Sequence, residues 1–164
     1  FENQRQNIKL EKVNLNSLIT DVISRNAQAI KEQKVNCQTE FSEEVTVQTD
    51  NYLFSIIVTN LLTNAIKYSN LKGQITILSN IENDCYELIF EDNGIGIEKS
   101  KIINAQKGNQ KPTSFATSAQ EKRVEILNKM YHNDVEISIE DRKYGSAISE
   151  GTIVKIKLKP MTIR

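Results

Sequence analysis

Apolar residues recur at three- and four-residue spacing in two segments of the chain, a pattern typical of helices. The first segment covers residues 16–33, and Asn14 or Asn16 can cap its start. The second runs to about residue 69 and can be capped by Asp50 or Asn51. Its apolar side chains point in nearly every direction around the helix; they are Leu53, Ile56, Ile57, Leu61, Leu62, Ala65 and Ile66. Most of the second helix is therefore expected to be buried.

Shorter segments in which apolar and polar residues alternate predict strands. They are residues 35–41, 45–49, 74–81, 85–91, 135–140 and 152–158. The first two, separated by the turn-like residues 42–44, predict either a hairpin or two sequential strands. The next two flank Asn83 and Asp84, a pair that favours a tight antiparallel connection. Helices combined with mainly antiparallel strands predict an α/β two-layer sandwich.

Residues 98–134 predict a short helix, a loop and a longer helix. The short helix is expected near residues 98–105, and the polar residues 106–117 are expected to form the loop. Residues 118–121 have the form of a capping box ahead of apolar residues at helical spacing, so a helix is expected to begin there.

Composition narrows the functional classes. The chain has 164 residues, enough for one domain, and its 21 basic residues equal its 21 acidic residues. A net charge of zero argues against a protein that coats nucleic acid. Two cysteines and the single His132 exclude a cysteine-rich metal site and a site that needs two histidines. We expect a soluble domain from a reducing compartment.

Two amides stand out on the second helix. Asn60 and Asn64 lie one turn apart and therefore on one face, and Lys67 and Tyr68 extend that face by another turn. A buried amide without a partner costs about 1–3 kcal/mol. Either the amides bond to the backbone or to each other, or the face lines a polar cavity. In a cavity, amide oxygens could coordinate Mg²⁺ and Lys67 could meet a phosphate.

A second candidate is the loop at residues 92–97, directly after a predicted strand. Gly94 and Gly96 allow the backbone to approach a ligand closely or to adopt positive φ. Asp92, just before them, can accept a hydrogen bond from an exocyclic amine. One hairpin separates this loop from the asparagine-bearing helix, so the two segments can face each other.

Together these motifs resemble those of a known family. Residues 60–69 (NLLTNAIKYS) resemble the N box of the ATP-binding catalytic domain of sensor histidine kinases, and residues 91–97 (EDNGIGI) resemble the first glycine box. Gly151 and Thr152, before alternating apolar residues, are similar to the closing strand. The resemblance covers about residues 13–160. It implies the Bergerat fold, with a mixed, mainly antiparallel sheet and helices on one face, which DNA gyrase, a heat-shock chaperone and a mismatch-repair ATPase share.

The resemblance implies roles for individual residues. Asn64 would be the Mg²⁺ ligand, Asn60 would support the metal or the phosphates, and Lys67 would approach the phosphates; these three form the implied catalytic set. The implied nucleotide-binding set adds Tyr68, Asp92, Gly94, Gly96, Ile97 and Thr152. Asp92 would accept the adenine amino group, Ile97 would pack on adenine, and Thr152 would lie in the pocket floor.

The resemblance also implies a reaction and partners. The γ-phosphoryl group of Mg·ATP would pass to a histidine on a separate dimerisation domain, whose linking helix would end at residues 1–12, with residues 13–164 as the catalytic domain. A response regulator would be the downstream partner, and no nucleic acid is expected. The fragment would be monomeric, the full protein a homodimer, and this domain would lie on the cytoplasmic side of a membrane-anchored sensor.

One departure from the family pattern keeps other functions open. No glycine occurs between Gly108 and Gly145, although the family carries a second glycine box at the end of the ATP lid. Residues 114–118 stand where those glycines belong. An alternative is therefore a degenerate kinase-like domain that acts as a docking or regulatory module. Another is a different member of the superfamily, such as an ATPase or a serine-kinase anti-sigma factor.

Overall fold

The computed structural model describes residues 9–69, 72–96, 135–143 and 149–158, and the single residues 99, 102, 106 and 125. The helices and strands of these ranges are β1 (Leu10–Asn14), α1 (Leu15–Arg25), α2 (Ala27–Glu32), β2 (Asn36–Phe41), β3 (Thr46–Asp50), α3 (Asn51–Tyr68), β4 (Gln74–Glu82), β5 (Cys85–Asp92), β6 (Val135–Lys143) and β7 (Ser149–Leu158). None of the described helices is both long and apolar enough to cross a membrane.

The main sheet has five strands in the order β2-β4-β5-β7-β6. β2 runs parallel to β4, and the other neighbouring pairs are antiparallel. Asn83 and Asp84 connect β4 to β5 with positive φ angles of 51° and 58°, as a tight hairpin requires. The prediction of a mixed, mainly antiparallel sheet is confirmed.

The segments at residues 35–41 and 45–49 are sequential strands and do not form a hairpin. β2 pairs with β4, and Ser42 N–H extends that alignment by donating to the Ser79 carbonyl at 3.2 Å. β3 pairs instead with β1 in a separate two-stranded sheet. The hairpin alternative is wrong because each strand satisfies its backbone groups with a partner elsewhere in the chain.

Helix α3 is the central element of the helical layer. Its buried residues are Leu53, Phe54, Ile57, Val58, Leu61, Leu62, Ala65 and Ile66. It packs against α1 and against β5. Alternate residues of β5 are buried on the helix side, whereas Glu87 and Glu91 on the other face form ion pairs with Lys157 at 3.6 Å and Arg142 at 3.9 Å. The helices therefore cover one face of the sheet, as predicted for a two-layer sandwich.

The single helix predicted over residues 16–33 is two helices that meet at Asn26. The Asn26 backbone leaves the helical region (φ −101°, ψ 8°), and its side chain donates to the Val22 carbonyl at 2.8 Å. The Val22 carbonyl thus accepts from both the side chain and the backbone N–H of Asn26, and α1 ends at this residue. Asn14 caps α1 by accepting from Ser17 N–H at 3.0 Å, while Asn16 donates to the Glu43 carbonyl at 2.7 Å.

Residues 9–12, the part of the predicted linking helix (residues 1–12) that the structure describes, are not helical. Leu10–Asn14 form strand β1, while residues 1–8 lie outside the described part. The physical reason is the pairing with β3 together with Asp50, whose Oδ2 accepts from Lys9 N–H at 2.9 Å. Val13 is buried by this arrangement.

The predictions for residues 98–134 fall mostly outside the described residues. Lys99 and Ile102, within the predicted short helix, are helical, and so is Glu125, within the predicted longer helix. Gln106 is also helical, so its placement in the loop is wrong.

We expect Asp50→Ala to lower the free energy of unfolding by about 2 kcal/mol, since Oδ1 caps α3 through Leu53 N–H at 2.9 Å and Oδ2 holds Lys9 N–H. Urea denaturation followed by circular dichroism measures this loss. Asp50→Asn keeps the capping oxygen and should lose about half as much. Wild-type stability in Asp50→Ala would contradict the double role of this carboxylate.

Candidate functional site

The C-terminal end of α3 lies directly against the glycine loop. A Cβ atom at Gly94 would overlap the carbonyl oxygen of Tyr68 and lie 3.0 Å from its carbonyl carbon. The two segments that the sequence suggested could face each other are therefore in backbone contact. This contact defines one site, formed by the end of α3, the end of β5 and the beginning of β7.

The face of α3 that carries the two amides also carries Tyr68, the residue that contacts the glycine loop. Asn60, Asn64 and Tyr68 follow one another at four-residue spacing, so they lie on one face, and all three are half-buried. Within the part of the chain that the structure describes, neither side-chain amide has a hydrogen-bond partner. Among these residues the amides thus bond neither to the backbone nor to each other, and both can serve a ligand.

Asp92 is the buried carboxylate of the site, 8% exposed at the last position of β5. Its Oδ1 accepts from Gly94 N–H at 2.9 Å, the local Asx turn that an aspartate two residues before a glycine can form. Burial raises the pKa of the Asp92 carboxyl above its ordinary value. Backbone hydrogen bonds from Gly94 and Thr152 and the positive charge of Arg142 oppose that rise.

Gly151 allows β7 to approach the glycine loop. Its φ of +124° disfavours any residue with a side chain, and a Cβ there would overlap the Asp92 carbonyl oxygen and lie 2.9 Å from Asn93 Cα. The approach places the half-buried Thr152 opposite Asp92 in the β5–β7 ladder. The sequence pointed to Gly151 as part of a motif, but its contact with Asp92 follows only from strand pairing.

The remaining predicted site residues differ in how the structure places them. Lys67 is exposed, and its Nζ lies 5.3 Å from the centroid of the Tyr68 ring, within cation–π range. Gly96 adopts a positive φ of 75°. Ile97 lies outside the described residues.

Sequence reasoning missed Asn93. Its backbone N–H donates to the Gln74 carbonyl at 3.2 Å, and its Oδ1 accepts from Gln74 N–H at 2.7 Å. Gln74 begins β4, the partner strand of β5, so this residue ties the glycine loop to the neighbouring strand. The available signal was an asparagine directly after a predicted strand, a position where such a side chain often bonds to nearby backbone.

The site combines three kinds of chemistry. The buried Asp92 carboxylate accepts hydrogen bonds, two half-buried amides lie on one face of α3, and the exposed Lys67 ammonium group lies beside the Tyr68 ring. Such a set suits a ligand with an amine at one end and negative charge at the other.

Comparison with known proteins identifies the family. Residues 49–161 match the model of the histidine kinase-, DNA gyrase B-, and HSP90-like ATPase family, a stretch that contains the whole site. The chain belongs to this family. Membership of this family implies that the domain binds ATP.

Curated relatives of the ATPase-family domain are sensor proteins. The chain is 29% identical over 107 residues to the sensor protein RprX of Bacteroides fragilis and 28% identical over 102 residues to the alginate biosynthesis sensor protein KinB of Pseudomonas aeruginosa. These alignments cover 62% of this chain but 20% and 17% of the relatives. The chain therefore spans about a fifth of the length of the curated relatives it matches.

Solved structures establish the fold of the domain. The catalytic domain of the histidine kinase ThkA superimposes with a TM-score of 0.71 at 21% identity, over 93% of this chain and 97% of that one. ThkA in complex with the response regulator protein TrrA matches with a TM-score of 0.72, over 94% of this chain and 42% of that one. The two-layer sandwich is thus the fold of a histidine kinase catalytic domain.

We expect Gly151→Ala to destabilise the domain by roughly 2 kcal/mol or more, because the new methyl group would overlap the Asp92 carbonyl oxygen at a φ that alanine rarely adopts. Thermal unfolding followed by circular dichroism measures this effect. An unchanged melting temperature would show that β7 can move away from the glycine loop without cost.

We expect Asp92→Asn to raise the melting temperature of the nucleotide-free domain at neutral pH, because a neutral amide avoids the cost of burying a charged carboxylate. The raised pKa belongs to the folded state, so ionised Asp92 opposes folding above its unfolded pKa, and the cost vanishes as the pH falls. The gain should therefore shrink toward about pH 4. Calorimetric scans from neutral to acidic pH measure it; a gain that grows with acidity would contradict the sign.

Proposed function

We propose that this chain is the catalytic ATP-binding domain of a sensor histidine kinase, which transfers the γ-phosphoryl group of ATP to a histidine on a separate dimerisation domain. The observation that carries the proposal is the contact between the Tyr68 carbonyl and Gly94, which joins the amide face of α3 to the loop of the buried carboxylate. Membership of the ATPase family and the sensor relatives support it.

The base end of the nucleotide belongs at Asp92. Gly94 N–H occupies Oδ1, and the carboxylate can accept a further bond from the adenine amino group. Thr152, opposite Asp92 in the ladder, belongs to the pocket floor. Gly94 and Gly96 would give the base room, and Tyr68 would line the pocket; the packing of Ile97 on adenine stays a prediction, because Ile97 lies outside the described residues.

The phosphate end belongs along α3. The exposed Lys67 ammonium group, beside the Tyr68 ring, would bind phosphate oxygens. Asn64 would hold Mg²⁺, with Asn60 one turn earlier in support. The donor chemistry fits the ion, since amide oxygens are hard ligands and both amides lack partners among the described residues. When bound, Mg²⁺ supplies charge neutralisation for the transferred phosphoryl group.

The chain's own residues act by positioning. Transfer of a phosphoryl group depends mostly on alignment and on charge neutralisation, and the described residues of this site can supply both, whereas no histidine is among them. Asp92 fixes the base, and the face of α3 then determines where the phosphates lie. The acceptor histidine comes from elsewhere.

The rest of the protein follows from the same proposal. Residues 13–164 would form the catalytic domain, and the segment before them would lead to the dimerisation domain that carries the acceptor histidine and makes the full protein a homodimer. A response regulator would be the next acceptor, by analogy with the ThkA–TrrA complex. The isolated domain would be a monomer, and in the cell it would be cytoplasmic.

We expect calorimetric titration with ADP to give heat for the wild-type domain, with a dissociation constant in the micromolar range or weaker. Asp92→Asn should abolish that heat, since an amide nitrogen in place of Oδ2 would face the adenine amino group, donor against donor. Asn64→Ala should keep the affinity for ADP alone but lose its enhancement by Mg²⁺. Asn80→Ala, which changes an exposed asparagine of β4, is the matched control.

The transfer itself needs the acceptor domain. With labelled ATP, the isolated domain should leave itself unlabelled and should label an added dimerisation domain.

Two results would contradict the proposal. Equal ADP binding by wild type and Asp92→Asn would mean that Asp92 does not bind adenine. A melting temperature that stays flat up to millimolar Mg·ATP would favour a docking module, because a ligand at 100 times its dissociation constant adds about 2.7 kcal/mol of stability.

A further inference from the structure

The bonds between Asn93 and Gln74 extend the β4–β5 ladder by one rung beyond the Ile75–Asp92 pair. In a regular antiparallel rung, the two residues exchange backbone N–H and carbonyl groups. Here Asn93 N–H donates to the Gln74 carbonyl at 3.2 Å as usual. The return bond, from Gln74 N–H, goes to the side-chain Oδ1 of Asn93 at 2.7 Å.

The use of a side-chain oxygen in place of the backbone carbonyl changes how the chain leaves the strand. Because the Asn93 side chain accepts the return bond, its backbone carbonyl is not needed for this rung and can turn with the loop. The chain therefore bends immediately after Asp92, and Gly94 N–H folds back onto Asp92 Oδ1 at 2.9 Å. A residue without this acceptor would leave the Gln74 N–H unpaired or draw the backbone of residue 93 into the ladder.

The loop is thus held from both sides of β5. On the β4 side Asn93 is bonded to Gln74, and on the β7 side Gly151 packs against the Asp92 carbonyl and Asn93 Cα. Between these contacts lies the Asp92 carboxylate, whose Oδ1 is already taken by Gly94. The direction of the other oxygen then depends on how well residues 93 and 94 are fixed.

We propose that Asn93 is a positioning residue for adenine recognition: by bonding to Gln74 it aims the Asp92 carboxylate at the exocyclic amine of the base. This inference rests on the proposed function. It identifies Asn93, and not only Asp92 and the glycines, as a determinant of base specificity. Asn93 acts through Asp92 and need not touch the nucleotide.

The test distinguishes orientation of the Asp92 carboxylate by Asn93 from a general contribution of Asn93 to the stability of the fold. ADP and purine riboside 5′-diphosphate differ only in the 6-amino group, so the ratio of their dissociation constants reports the bond to Asp92. For the wild-type domain we expect ADP to bind at least about tenfold tighter, the preference that a hydrogen bond to a charged acceptor produces. Calorimetric titration of both nucleotides measures the ratio.

We expect Asn93→Ala to reduce this preference by about 3- to 10-fold, mainly by weakening ADP. Asn93→Asp keeps an acceptor for Gln74 N–H, so its preference should stay within about twofold of wild type, although its added charge should weaken both diphosphates. Gln74→Pro removes the N–H at the first position of β4, where proline is tolerated, together with the exposed side-chain bond from Gln74 Nε2 to Gln38 Oε1, and should reproduce the Asn93→Ala loss. It also tests the bond if Asn93→Ala does not fold, which circular dichroism reveals.

Equal weakening of both nucleotides by Asn93→Ala would overturn the inference, since it would mean a merely structural role; so would unchanged affinity for both. Failure of the proposed function looks different. If the wild-type domain binds neither diphosphate, or binds both equally well, Asp92 does not recognise the 6-amino group of adenine. That result would contradict the inference about Asn93 as well.

Discussion

The site depends on one steric constraint, the packing of the Tyr68 carbonyl against Gly94 where any side chain would overlap it. This contact joins the last turn of α3 to the turn after β5, so that amides from a helix and a carboxylate from a strand share one site. Gly151 of β7 makes the same kind of contact on the opposite side of the loop, against the Asp92 carbonyl. Because these two glycines have no side chain, three backbone segments can converge around a single carboxylate.

That convergence places a charged group where folding alone would not favour it. Asp92 is 8% exposed, and burial raises the pKa of its carboxyl. Backbone N–H groups from Gly94 and Thr152 stabilise the charged form and offset part of the cost. A group that opposes folding yet is held by several contacts is typical of binding sites, where specificity for a ligand outweighs stability.

Helix α3 links the site to the rest of the domain. Its 18 residues span about 27 Å, with Asp50 at one end and Tyr68 at the other. Asp50 caps the helix and also holds Lys9, where the chain approaches β1. The buried side of α3 rests on the sheet, so the positions of Asn60 and Asn64 follow from core packing. A helix anchored in this way can present its polar face without being reshaped by the ligand.

The amino-acid sequence by itself determined α3, the caps of α1 and α3 and most of the strands, because periodicity, caps and turn residues are local signals. It also suggested the candidate residues of the site, whose roles stay predictions. It suggested that the segments of Asn64 and Asp92 can face each other, since one hairpin separates them. It could not decide whether β2 and β3 pair with each other, because any strand can satisfy its backbone with any partner in register. Nor could it reveal that Asn93 bonds to Gln74, 19 residues away, or that Gly151 contacts Asp92. Only the tertiary structure decides such contacts, because they depend on which strands become neighbours, and neighbours are chosen by the packing of the whole core.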